Sequence, residues 1–174
     1  WINKFYILDL NQKKSLVRWL VEQGFTVFIV SWVNPGPAQA DETFLSYIEK
    51  GMFAAIDAVK KETGEKAVNV AAYCIGGTLT GTGLALAAAK RKKGVNSCTF
   101  FTTQLDFTDA GELQIFVDDE QLKVLDEQME EGFLAAESMA NAFNMLRSSD
   151  LIWGVMIQNY LLGKEPFPFD LLFW

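Results

Sequence analysis

The chain has 174 residues, 50% of them hydrophobic and 21% charged, and a net charge of −7. That is enough for one core of useful size, and the acidic balance argues against a chain that wraps nucleic acid, whose phosphates call for a basic surface. Histidine is absent and neither Cys74 nor Cys98 belongs to a CxxC pair, so the composition excludes a Cys/His zinc constellation and a disulfide framework and points to a reducing, cytoplasmic compartment.

In chain order, residues 1–10, "WINKFYILDL", read as the end of a strand and a loop. Asn11 is a candidate N-cap for a helix over about residues 13–23, with Leu16, Val17, Trp19, Leu20 and Val21 on its apolar face and Gly24 as its stop. "FTVFIVSW", residues 25–32, is a β-branched and aromatic run with the look of a strand buried on both faces. "NPGP" ends it. Asp41 is placed to cap a helix running to about Glu62, with Phe44, Ile48, Met52, Ala55, Ile56 and Val59 at helical spacing and Gly64 after it.

"AVNVAAY" predicts the next strand, followed by Cys74, a helix of small residues from about Gly76 to Lys92, and a stop at Gly94. "SCTFFTTQL" predicts another buried strand. The alternation of strands and helices points to a parallel sheet with crossover helices, an α/β fold. Beyond Asp106 the chain turns acidic and loop-like, then helical, with helices expected at 134–147 and 150–162. In this part Phe133, Leu134, Met139, Phe143, Met145 and Leu146 are more apolar than an exposed helix pair requires. They pack on a core or form a movable lid.

Two stretches invite other readings. Lys90-Arg91-Lys92-Lys93 reads as the solvated C-terminal end of a helix, where cations suit the dipole, with a phosphate contact as the alternative. The uncharged run Ala67–Ala89 is long enough to span a bilayer, but its glycines and threonines and its change of pattern fit a buried strand followed by a buried helix. Trp1 opens the chain and the apolar Leu171-Leu172-Phe173-Trp174 closes it, so it reads as an internal fragment of a longer protein.

The chemistry centres on Ala72-Tyr73-Cys74-Ile75-Gly76. This is the small-x-nucleophile-x-Gly pattern of a sharp strand-to-helix turn, with cysteine in the nucleophile slot. A helix N-terminus behind Cys74 favours a thiolate, and the Ile75 amide would face an oxyanion on a thioester carbonyl. The bland alternative is a small apolar cysteine packed in a strand-turn-helix. Cys98 lies mid-strand and reads as packing. A nucleophilic cysteine needs a base, and the histidine that usually fills this role is missing.

These blocks resemble one family along the whole chain. "WINKFYILDL", "SLVRWLVEQGFTVFIVSWVNP", "AYCIGGTL", "TTQLDFTDAGEL", "NAFNMLRSSDLIW" and "NYLLGKEPFPFDLLFW" are similar, in order and spacing, to the catalytic domain of polyhydroxyalkanoate synthases, also called poly(3-hydroxybutyrate) polymerases. The resemblance implies an α/β-hydrolase-like parallel sheet with crossover helices, here truncated, plus a helical cap. Residues 1–106 would form the partial core with the nucleophile elbow, and 107–174 the cap and the start of the return to the core.

It further implies an acyltransferase that polymerises (R)-3-hydroxyacyl groups from coenzyme A thioesters, with Cys74 carrying the growing polyester. The partners implied are the acyl-CoA, the polyester and a second subunit in a homodimer, at the surface of polymer granules. No further cofactor, nucleic acid or transmembrane segment is expected. The loop holding Ile2 matches the one that supplies the second oxyanion amide. The family's histidine base and its aspartate lie downstream of "PFDLLFW", so Asp106 and Asp109 are read as loop-shaping residues and not as substitutes. The box usually begins with glycine; Ala72 stands there. The competing readings are a thioesterase or depolymerase of the same fold and a non-catalytic dimerising or granule-associated module.

Overall fold

The computed structural model describes residues 5–111, 114, 118–134 and 152–165. They fall into two compact units. One spans Asp41–Gly111; the other holds the described residues of Asn3–Ala40 and Glu112–Trp174.

In the second of these units the chain starts with a 3-10 turn, Phe5–Leu8, and a short antiparallel pair, β1 (Asp9–Asn11) and β2 (Lys14–Ser15). Helix α1 (Leu16–Glu22) follows. Its cap is Ser15, whose hydroxyl accepts the Arg18 amide at 2.8 Å. Asn11, the expected cap, instead accepts the Lys13 and Lys14 amides at 3.0 and 3.1 Å and so shapes the β1–β2 turn. Leu16, Val17 and Leu20 are half-buried, whereas Trp19 and Val21 are exposed. Gly24 follows the helix at φ +88°, in the left-handed region where a Cβ is costly.

The strand expected at 25–32 does not form. Residues 25–36 belong to no helix or strand, and Phe25, Phe28, Ile29 and Val30 are exposed. β-Branched and aromatic residues favour a strand only where a neighbouring ladder and a covering face receive them. Among the described residues the four-strand parallel sheet read from the sequence is therefore realised as one parallel pair, and the observed class is mixed α/β with a small antiparallel and a small parallel sheet.

The unit Asp41–Gly111 opens with a continuous helical rod: α2 (Phe44–Ser46), a π-helical stretch (Tyr47–Phe53) and α3 (Ala54–Thr63). Thr43, not Asp41, caps it. The Thr43 hydroxyl accepts the Ser46 amide at 3.2 Å, and the Ser46 hydroxyl accepts the Thr43 amide at 3.1 Å. Gly64 ends the rod at φ +75°. Ile48, Met52 and Ile56 turn inward as their spacing predicts, Ala55 and Val59 are half-buried, and Phe44, expected on the same face, is exposed. Phe53 joins the inward-facing three, because the wider π turn rotates it toward the core. Ile48 is only 2% exposed, and removing a side chain of that size from water stabilises the fold by about 1.5–3 kcal/mol.

Strand β3 (Val68–Tyr73), helix α4 (Ile75–Ala89) and strand β4 (Val95–Phe101) complete the unit. β3 and β4 pair in parallel, with Val70 opposite Cys98 and Tyr73 opposite Phe101. Along β3, Val68, Val70 and Ala72 lie toward the covered face while Asn69, Ala71 and Tyr73 are exposed. On the open face Asn69 Oδ1 accepts from Asn96 Nδ2 at 2.9 Å and from Ser97 Oγ at 2.8 Å. The strand expected to be buried at "SCTFFTTQL" instead has Phe100 and Phe101 exposed.

Glycines let α4 approach its neighbours closely. A Cβ on Gly83 would lie 2.5 Å from Met52 Sδ, and one on Gly81 2.6 Å from Leu105 Cδ2. The helix therefore packs onto both the helical rod and the segment after β4. At its far end Lys90 pairs with Glu49 at 2.7 Å and Lys92 with Asp57 at 3.0 Å. The basic run ties the helix end to the rod.

Further along, α5 (Asp119–Gln128) is capped by Asp118, whose carboxylate accepts the Gln121 amide at 2.8 Å. Met156–Leu161 is π-helical, within the expected 150–162 helix. The helix expected at 134–147 lies, apart from Leu134, outside the described residues. Among the described residues no helix is long and apolar enough to cross a membrane. Val68–Tyr73 is strand and Ile75–Ala89 helix, so the uncharged run divides as its pattern suggests.

Candidate functional site

Cys74 occupies the single residue between β3 and α4. Its backbone has φ +55° and ψ −128°, a conformation that L side chains rarely adopt. The small residues around this turn are not equally constrained. Ala72 on the strand side is buried, at 6% exposure. On the helix side, a Cβ on Gly76 would meet nothing within 4 Å, whereas one on Gly77 would lie 2.5 and 2.7 Å from Thr103 Cγ2 and Cβ. The second glycine, not the first, is the one whose hydrogen is required.

Backbone hydrogen bonds fix the turn. The Cys74 amide donates to the Phe101 carbonyl at 2.9 Å, which extends the β3–β4 ladder up to the turn itself. The Cys74 carbonyl accepts the Gly77 amide at 2.9 Å and opens α4. The Cys74 residue is exposed. Ile75 is the first helical residue, and its amide finds no acceptor among the described residues. Ile75 thus follows an exposed thiol with an amide that no described residue accepts. Ile2, named from the sequence as the second donor, lies outside the described residues.

The other titratable groups take structural places. Cys98 is half-buried on β4, and burial pushes its thiol up from the ordinary value. The Asp106 carboxylate accepts from the Thr108 hydroxyl at 2.6 Å and the Thr108 amide at 2.9 Å, which hold it below the usual aspartate range. Asp109 accepts the Gly111 amide at 3.3 Å. Gln104 Nε2 spans the same loop, donating to the Asp106 carbonyl at 3.1 Å. Both aspartates thus shape the loop after β4, as turn-forming residues do. Among the described residues no three metal-ligating side chains come together.

Sequence reasoning passed over two residues of this site, Thr78 and Thr103. The Thr78 hydroxyl donates to the Gln104 carbonyl at 2.7 Å, and the Thr103 hydroxyl to the Phe101 carbonyl at 3.1 Å. Nothing in the local pattern marks them, because their roles depend on segments brought together by the fold: Thr78 bonds the Gln104 carbonyl and Thr103 packs against Gly77.

Known proteins similar to this chain agree on one family. Residues 1–20 match the family described as "Poly-beta-hydroxybutyrate polymerase (PhaC) N-terminus". The "Poly(3-hydroxyalkanoate) polymerase subunit PhaC" of Rhizobium etli is 53% identical over 100% of this chain and 28% of its own length. The "Poly(3-hydroxyalkanoate) polymerase" of Methylorubrum extorquens is also 53% identical, over 100% of this chain and 29% of its own. The subunit of the same name from Cupriavidus necator is 44% identical over 99% of this chain and 30% of its own. The chain thus spans between 28% and 30% of these relatives' length. With identity of this depth from end to end, the chain belongs to the poly(3-hydroxyalkanoate) polymerase family, of which it is a partial sequence.

Proposed function

We propose that the protein containing this chain is an acyltransferase that polymerises (R)-3-hydroxyacyl-CoA thioesters, with Cys74 as the nucleophile. The observation that carries the reading is the left-handed turn at Cys74, which lifts an exposed thiol off the end of β3 at the start of α4. The poly(3-hydroxyalkanoate) polymerases that match the whole chain support the substrate class.

In this reading the Cys74 sulfur attacks the thioester carbonyl. The Ile75 amide, with that of Ile2, receives the negative charge on the carbonyl oxygen. Collapse breaks the carbon–sulfur bond to coenzyme A, which leaves as the thiol, and the acyl group stays on Cys74. The hydroxyl of an acyl unit then attacks a second thioester carbonyl; an ester bond forms, the carbon–sulfur bond of that thioester breaks, and its sulfur leaves as a thiol with the hydroxyl proton, which lengthens the polyester by one unit. Cysteine suits this exchange because both the attacking and leaving atoms are sulfur. The thiol base is a histidine outside this sequence, which contains none, so these 174 residues alone have no turnover.

The architecture proposed with it is an α/β-hydrolase-like core over 1–106 and a cap from 107 onward. Exposed apolar side chains support a covering role for the cap, or a homodimer contact there: Trp153 is 61% exposed and Leu161 66%. The proposed place of action is the cytoplasmic surface of polymer granules.

Full-length protein incubated with 3-hydroxybutyryl-CoA tests the reading. Release of CoA with polymer as product is expected, and Cys74→Ala abolishes it. Free hydroxy acid in place of polymer would assign a hydrolase instead, and normal turnover by Cys74→Ala would remove Cys74 from the chemistry.

A further inference from the structure

The turn at Cys74 is strained, and a strained turn persists only where its surroundings over-determine it. The surroundings here are specific. β4 ends at Phe101, and Thr102 follows at φ +43°, a second non-glycine residue in the left-handed region. The two unusual residues sit at the ends of paired strands and are joined through one atom: the Phe101 carbonyl accepts both the Cys74 amide at 2.9 Å and the Thr103 hydroxyl at 3.1 Å. Thr103 then lies directly against Gly77, whose missing side chain it replaces. One residue further along each segment, the Thr78 hydroxyl donates to the Gln104 carbonyl at 2.7 Å. Leu105 meets Gly81 one helical turn on.

We propose that Thr103 and Thr78 are positioning residues for Cys74, forming a clasp that locks the segment after β4 onto the first turns of α4 and so holds the thiol at its strained position. The proposal rests on the reading of Cys74 as the nucleophile. Neither threonine touches the reacting atoms; each acts through the backbone that carries Cys74. Thr103 tethers the shared carbonyl and fills the space over Gly77. Thr78 fixes the helix turn against the backbone that follows. Loosening either lets φ at Cys74 relax toward ordinary values and turns the thiol from its place beside the Ile75 amide.

The test uses the full-length protein and two readouts: iodoacetamide alkylation of the Cys74 peptide, followed by mass spectrometry, and steady-state kinetics. Thr103→Val keeps the shape and removes the hydroxyl; Thr103→Ser keeps the hydroxyl. Loss of one net hydrogen bond predicts about fivefold slower alkylation of Cys74 in Thr103→Val, and a similar fall in kcat with KM unchanged. Thr103→Ser stays near wild type, and Thr78→Val behaves as Thr103→Val. Gly77→Ala is more severe, and Gly77→Ala/Thr103→Gly recovers part of the loss. Wild-type alkylation in Thr103→Val, an equal fall in Thr103→Ser, or no recovery in the double variant each overturns the clasp. A full-length protein without turnover would count against the polymerase reading alone, since alkylation still reports on the clasp.

Discussion

The amide of Cys74 donates to the carbonyl of Phe101 at 2.9 Å, so the last rung of the β3–β4 ladder is also the first constraint on the thiol. Sheet and site share one hydrogen bond. A rigid parallel pair delivers Cys74 to its turn, and the helix that follows starts from the carbonyl of the same residue.

The strain at Cys74 is measurable as stability. Glycine adopts φ +55° without a Cβ penalty, so Cys74→Gly is expected to be more stable than Cys74→Ala by about 1–2 kcal/mol. Urea unfolding of the two full-length variants checks this. Equal midpoints would mean that the turn carries no strain in solution.

Neighbouring glycines are expected to respond oppositely. Gly76→Ala meets open space in a helix, so it is neutral or stabilising by up to about 1 kcal/mol. Gly77→Ala drives a methyl into Thr103 and costs about 1–3 kcal/mol. Thermal unfolding of both variants, compared with wild type, reads the difference.

Two cysteines in one unit give an internal comparison. Cys74 is exposed, whereas Cys98 is half-buried with its thiol pushed up by burial. Iodoacetamide near neutral pH is expected to label the Cys74 peptide first. Cys98 labelling rises only as pH climbs beyond the ordinary thiol value of 9.0. Preferential labelling of Cys98 at pH 7 would contradict the placement of both residues.

Much of this site was legible in the sequence. Small residues around Cys74, with a strand pattern before it and a helix pattern after it, identify the elbow, whereas the demand for Gly77 comes from Thr103, which is distant in sequence. The helical rod, α4 and the glycine stops at Gly24 and Gly64 were legible from local pattern too. The caps were misplaced: Asn11 and Asp41 have the right chemistry, but Ser15 and Thr43 sit where the helices begin. Phe53 was missed because a π turn breaks the regular spacing. The segment 25–32 was read as a buried strand because its residues suit one, but strand formation depends on a partner, which no local pattern specifies. Thr78 and Thr103 were invisible because what they meet, the Gln104 carbonyl and Gly77, is distant in sequence.

Acidification is expected to loosen the join between α4 and the rod. The Lys92 ammonium bonded to Asp57 holds that carboxyl below the ordinary value of 3.8. A carboxyl lowered in the folded state contributes stability above its unfolded value and loses it as pH falls through the folded one. The contribution of this exposed pair is therefore present at neutral pH and disappears below about pH 4, and salt screens it. Asp57→Asn is expected to flatten that part of the stability–pH curve, as followed by urea midpoints between pH 3 and 7. An unchanged curve would show that the pair contributes nothing.

The most direct measurement of the central claim is to mix full-length protein with 3-hydroxybutyryl-CoA, quench in acid within the first turnovers, and map the peptides by mass spectrometry. A hydroxybutyryl group bound as a hydroxylamine-sensitive thioester is expected on the peptide containing Cys74. An active protein whose acyl group is found on another residue, or on none, would contradict it.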